Sequence, residues 1–142
     1  MKKPQKELEE KYTEFQILAQ QAEQIQQQLQ VLQQQTEELS QLSESLEALS
    51  DVEQDSSIWT SIGGGIYLPA KTIGKLDKVL IGVGANVYVK KEISASVDLV
   101  RNQAMHLGEL SKHLEQTLQK IAKKMMEIQE YFQNLQESDV EQ

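Results

Sequence analysis

Between Gln5 and Val52 the chain contains neither Gly nor Pro. Apolar residues there recur alternately three and four positions apart, at Phe15, Leu18, Ala22, Ile25, Leu29, Leu32 and Leu39, with Thr36 the one polar member. This is a heptad seam, a narrow stripe able to meet one partner helix. The residues between are mostly Gln, Glu and Lys, good helix formers that leave the outer surface wet. The pattern predicts a coiled-coil helix over 5–53. Near Ser40 the stripe drifts to Leu42, Leu46 and Leu49, which predicts a shift of the seam. A second seam runs through Val100, Ala104, Leu107, Ser111, Leu114, Leu118, Ile121, Met125, Ile128, Phe132 and Leu135, and predicts a helix over 94–136. Ser94 or Ser96 is placed to cap it, and Asp98 suits its positive start. The acidic segment 137–142 is expected to fray.

Between the seams the pattern changes period. Residues 57–93 read SIWTSIGGGIYLPAKTIGKLDKVLIGVGANVYVKKEI and hold six of the seven glycines and the only Trp. Ile62-Gly63-Gly64-Gly65-Ile66-Tyr67-Leu68 recurs 21 positions later as Val83-Gly84-Ala85-Asn86-Val87-Tyr88-Val89. Each copy is a strand end, a three-residue turn and a second strand. Gly and Asn tolerate the positive φ that such a turn needs at one position. The reading is two tandem β-hairpins, 57–62 with 66–71 and 78–83 with 87–92. Pro69 lacks an N–H and belongs at a strand edge or end.

Two seams joined by a compact β insert are each other's nearest partners, so the arms are expected to fold back antiparallel. Facing residue numbers would then sum to about 143 or about 150, two registers between which the pattern does not choose. A parallel homodimer of separate coils is the competing arrangement.

All seven aromatics fall at the two extremes of this layout. Tyr12, Phe15, Tyr131 and Phe132 lie at the far ends of the helices, with Leu8, Met125, Met126, Ile128 and Leu135 around them. Tyr12, Ile17, Met126 and Tyr131 are off the seam, so a two-helix coil cannot bury them all. Clustered exposed apolar groups mark an interaction surface, and Met makes it adaptable. In the hairpins both faces are apolar: Ile58, Ile62, Ile66, Leu68, Val79, Ile81, Val83, Val87 and Val89 against Trp59, Tyr67, Leu80 and Tyr88. Four short strands cannot close a barrel by themselves and leave pairing edges open. The hairpins therefore read as a subunit interface.

Composition narrows the chemistry. The 142 residues carry a net charge of −8, which argues against nucleic acid, whose phosphates need clustered Lys and Arg. Without Cys there are no disulfides, thiolates or Cys-based zinc sites, and a reducing cytoplasm is the expected compartment. No apolar run is long enough for a membrane span. Gly63-Gly64-Gly65 lacks the Gly-Lys-Ser/Thr that follows in a phosphate loop. His106 and His113 are seven apart and off the seam, a poor metal pair. No enzyme activity, no metal and no cofactor are expected.

The Gly turn before Ile66-Tyr67-Leu68-Pro69-Ala70-Lys71, then Asp77-Lys78-Val79-Leu80-Ile81, then Val83-Gly84 before Val87-Tyr88-Val89, all set between heptad arms, resemble the α-type subunits of the prefoldin family. The duplicated hairpin points to the α type, since β-type subunits have a single one. Asn86 stands where many relatives have Gly. The resemblance implies an α+β, mainly α fold: an antiparallel two-helix coiled coil whose tandem hairpins join an oligomeric β-barrel hub. It implies two α with four β-type prefoldin subunits in a hexamer. It also implies capture of non-native client polypeptides at the tips and their delivery, without ATP, to a group II chaperonin. The tip residues named above would be the client surface and the strands the subunit interface. A filament-forming scaffold of the same type is the alternative.

Overall fold

The computed structural model describes residues 2–140, with side chains from Pro4 onward. The element order is α1 (Lys2–Leu49), β1 (Ser57–Gly63), β2 (Ile66–Lys71), β3 (Lys78–Gly84), β4 (Val87–Glu92) and α2 (Ile93–Val140). Residues 1–35 with 107–142 form one compact unit and residues 36–106 another. Helix α2 continues through 137–140, where fraying was expected; the tail's last two residues lie outside the described residues. So do the side chains of Lys2 and Lys3.

In the unit that holds both chain ends, Leu18, Ile121 and Ile128 are buried together, with Phe15, Ala22, Ile25, Met125 and Phe132 packed against them. Low numbers of α1 meet high numbers of α2, and Leu32 lines one surface groove with Leu110 and Leu114. The helices are therefore antiparallel here. Every seam position of α2 from Val100 to Phe132 is buried or half-buried. Along α1 the three-four alternation holds further than expected, with Ser43 half-buried, Leu46 buried and Leu42 exposed, and it breaks only at Leu49, half-buried three positions after Leu46. A seam is a geometric stripe, and one Leu out of phase does not redirect it.

The second unit is built on Leu46, Ile93, Val97 and Val100, with Leu39, Leu49, Leu76 and Val79 packed around them. Helix α1 leaves this cluster four residues before the expected boundary. Its carbonyls at Glu47, Ala48 and Leu49 accept from the N–H groups of Ser50, Asp51 and Val52, each at 3.2 Å. Such tightened i→i+3 turns satisfy carbonyls that a helix end leaves free. Neither expected cap forms. Ser96 is fully buried inside the first turn of α2, and its hydroxyl donates to the carbonyl of Glu92 at 2.8 Å. Glu47 and Arg101 pair at the surface, both half exposed to solvent, and contribute little.

Each hairpin is a separate two-stranded antiparallel sheet, so no barrel exists within the single chain. Pro69 stands opposite Trp59, and in a two-stranded sheet every strand is an edge. The turns differ from expectation. Gly63, Gly64 and Gly65 have φ of 101°, 60° and 77°; Gly84, Ala85 and Asn86 have 107°, 49° and 59°. Two central residues with positive φ make a type I′ turn, which matches the twist of a hairpin. The third residue, Gly63 or Gly84, instead closes a bulge, with Ile62 or Val83 as the extra residue on the first strand.

The 21-residue repeat reaches beyond the turns. Thr72 N–H donates to the carbonyl of Ser56 at 2.9 Å, and Ile93 N–H donates to that of Asp77, also at 2.9 Å. Both partners are displaced by 21 positions, so each hairpin is shut at its base by the same bond. In the first hairpin the buried Thr72 hydroxyl also accepts from Ser56 N–H at 2.9 Å.

Candidate functional site

Two exposed apolar surfaces stand out, one in each unit. The first lies at the ends of the helices. Leu8, Tyr12, Phe15, Tyr131, Phe132 and Leu135 line an open groove of about 1150 Å³, together with Pro4, Gln5, Glu9, Thr13, Gln129, Gln136 and Asp139. The seam explains the groove. Phe15 and Phe132 lean half-buried on the coil cluster and form its floor. Tyr12, one turn from Phe15 and off the seam, stays open to water. Tyr131 meets Phe132 edge to face with ring centroids 6.0 Å apart, and the Lys11 ammonium sits 6.0 Å from the Tyr131 centroid. Both contacts are weak ones that favour these ring orientations.

Three of the expected tip residues fall elsewhere. Ile128 is 4% exposed and belongs to the coil core, because its heptad position outweighs its place near the chain end. Met125 packs against the same cluster. Met126 is 62% exposed but does not line the groove. Glu9 and Asp139, which do line it, carried no apolar signal and were not among the residues expected at the tip surface.

The second surface is the pair of hairpins. Trp59 (72% exposed) and Tyr88 (66%) present most of their rings to solvent, and Ile58, Ile62, Ile66, Tyr67, Leu68, Val83, Val87 and Val89 are exposed as well. Val79 and Ile81 are half-buried, and Val79 turns toward the helix cluster of its own chain. The inward face of β3 is therefore occupied, and its outward face carries Leu80. Gly82 stands opposite Tyr88; a Cβ at Gly82 would come within 3.2 Å of Tyr88 Cε1. The Tyr88 ring lies across the bare backbone of its partner strand. Ile73, in the link between the hairpins, is 94% exposed and was also missed. An aliphatic side chain in a polar link was the available signal.

No group of side chains suited to hold a metal ion occurs among the described residues. No helix among them is long and apolar enough to cross a membrane. His106 and His113 are both exposed. The chemistry available to these surfaces is apolar contact, aromatic stacking and rim charge.

Comparison with known proteins follows the same layout. The family described as Prefoldin subunit matches residues 18–138. Among curated proteins, the chain is 26% identical over 116 residues to prefoldin subunit alpha of Thermofilum pendens, covering 82% of this chain and 89% of that one. It is 24% identical over 126 residues to prefoldin subunit alpha of Archaeoglobus fulgidus, covering 89% and 91%. Among solved structures, it is similar to a filamentous PFD from Methanocaldococcus jannaschii seen by cryo-electron microscopy. That likeness has a TM-score of 0.73 at 19% identity and covers 82% of this chain and 96% of the other.

Proposed function

The chain belongs to the prefoldin family of co-chaperone subunits, and from that membership we propose that it holds non-native polypeptides in the groove at its helix ends. In this reading it is a cytoplasmic subunit that works without ATP and passes its clients to a group II chaperonin. The observation that carries the proposal is the groove itself. Aromatic and aliphatic side chains are left open to water there, in a chain whose remaining helix surface is mostly Gln, Glu and Lys. An unfolded segment would cover that apolar surface, and the hydrophobic effect would favour its doing so. One groove offers weak holding. Several in one assembly would raise the effective concentration for a client touching more than one.

The hairpins supply the means of assembly. Their exposed apolar faces and open strand edges would be satisfied by strands of other subunits. The proposed partners are β-type prefoldin subunits, four for every two chains of this kind. A filament is the second reading, favoured by the likeness to a filamentous relative.

The test is suppression of aggregation of a denatured client by the assembled protein. Replacing Tyr12, Phe15, Tyr131 and Phe132 by Ser should abolish protection and leave assembly intact. Because Phe15 and Phe132 also support the coil, Leu8→Ser with Tyr12→Ser and Leu135→Ser serves as a variant confined to exposed side chains. Protection that survives both variants would place client binding elsewhere. For the hub, Tyr88→Asp should abolish the mixed complex in native mass spectrometry while helicity persists; an unchanged complex would refute the interface.

A further inference from the structure

We propose that the groove at the helix ends selects client segments in which bulky apolar residues are flanked by Lys or Arg, a preference that rests on the holding function argued above. The charged residues lining the groove are Glu9 and Asp139, both acidic, and among the described residues no Lys or Arg lines it. The surroundings have the same sign. Over 4–15 and 129–139 the sequence has seven carboxylates against two lysines, and counting Lys2, Lys3 and Glu141 leaves the balance acidic. Lys11, one of the two, is held beside the Tyr131 ring and lies 3.9 Å from a Glu14 carboxylate oxygen, so part of its charge is already matched.

An occupant of this groove faces two demands. Its apolar side chains displace water from Tyr12, Phe15 and Phe132, a contribution that ionic screening does not weaken. Its flanks come to lie beside Glu9 and Asp139, where cationic flanks are attracted and anionic ones repelled. Apolar cover alone would accept any unfolded segment; the rim charge discriminates among them by attraction and repulsion together. Each rim contact is solvent-exposed and individually small, so two of them amount to about a three- to tenfold preference at low salt. That preference shrinks as salt shortens the screening length from roughly 10 Å at 0.1 M toward 3 Å at 1 M.

The experiment uses the full chain and three fluorescein-labelled peptides sharing one Leu/Phe centre, flanked by Lys, by Gln or by Glu. Binding is read by fluorescence anisotropy at low and high salt. The Lys-flanked peptide should bind several-fold tighter than the Gln-flanked one, and the Glu-flanked peptide weaker than both. The three should converge at high salt. Glu9→Gln with Asp139→Asn should remove most of the difference among the three peptides. Glu44→Gln with Glu53→Gln, which changes net charge equally away from the groove lining, should leave the difference in place. Equal binding of all three peptides overturns the selectivity and leaves the holding function standing. A preference that survives the rim variant, or disappears in the control variant, overturns the assignment to this rim. Absence of binding by any peptide overturns both.

Discussion

Ile128 and Met126 are two residues apart on α2 and separate coil packing from surface. Ile128 is 4% exposed among Leu18 and Ile121; Met126 is 62% exposed. Ile128→Ala removes three buried carbons, about 2.4 kcal/mol at roughly 0.8 kcal/mol each. A residual cavity adds to this, and the better helix propensity of Ala returns about 0.4 kcal/mol. The net expectation is about 2–3 kcal/mol, confined to the unit that contains the cluster. Met126→Ala removes no buried contact and should change stability by under about 0.5 kcal/mol. Hydrogen exchange resolves the difference locally. Amides of 118–132 whose opening breaks the cluster should exchange roughly 30- to 150-fold faster in Ile128→Ala, since about 1.4 kcal/mol is tenfold. Those of 93–100 should be unchanged. Equal exchange in the two variants, or uniform acceleration along α2, would show that Leu18, Ile121 and Ile128 do not form a local packing unit.

The hub offers two further expectations. Thr72→Val keeps the shape of a buried residue but removes the acceptor of the Ser56 N–H, which should cost about 1–3 kcal/mol and raise the rate of proteolytic nicking around 53–57. Gly82→Ala places a Cβ about 3.2 Å from the Tyr88 ring edge; the ring must turn, and assembly through that face should weaken with helicity unchanged. Assembly as tight as before would show that the Tyr88 orientation is immaterial.

Much of this was legible in the sequence, for reasons that also explain what was not. The α2 seam could be read residue by residue because Leu, Ile and Met hold a constant phase over nine turns. The α1 seam misled at one place: Leu42 outweighed Ser43 in hydrophobicity, but phase decided which faced the partner helix. The hairpin spans followed from the change to period two and from the Gly clusters. The turn type did not, because Ala85 at φ 49° is a conformation that Ala rarely adopts and that nothing local advertises. Thr72 was invisible for a different reason. Its role exists only once β2 has returned the chain to Ser56, sixteen residues earlier. At the groove, the aromatics were legible as a cluster off the seam, whereas Glu9 and Asp139 are ordinary surface carboxylates until the two helices bring them to one opening.

The two hairpins share a backbone plan but not a footing. Both have the I′ turn, the bulge and the closing bond displaced by 21 positions. Only the second is bound into the apolar cluster, through Val79 and the adjoining Leu76; the first contributes no side chain to it. A lone two-stranded hairpin is marginal in water, because pairing two strands barely offsets the entropy of ordering them. The second hairpin escapes that limit by resting on its own helices. The first is tied down only at its base, where Thr72 and Ser56 exchange hydrogen bonds, and every residue of β1 is exposed. Its Ile58, Trp59, Ile62, Ile66, Tyr67 and Leu68 are all exposed. Duplication of the hairpin therefore repeats the backbone plan with unequal support: the second copy is seated on its own helices, and the first is not.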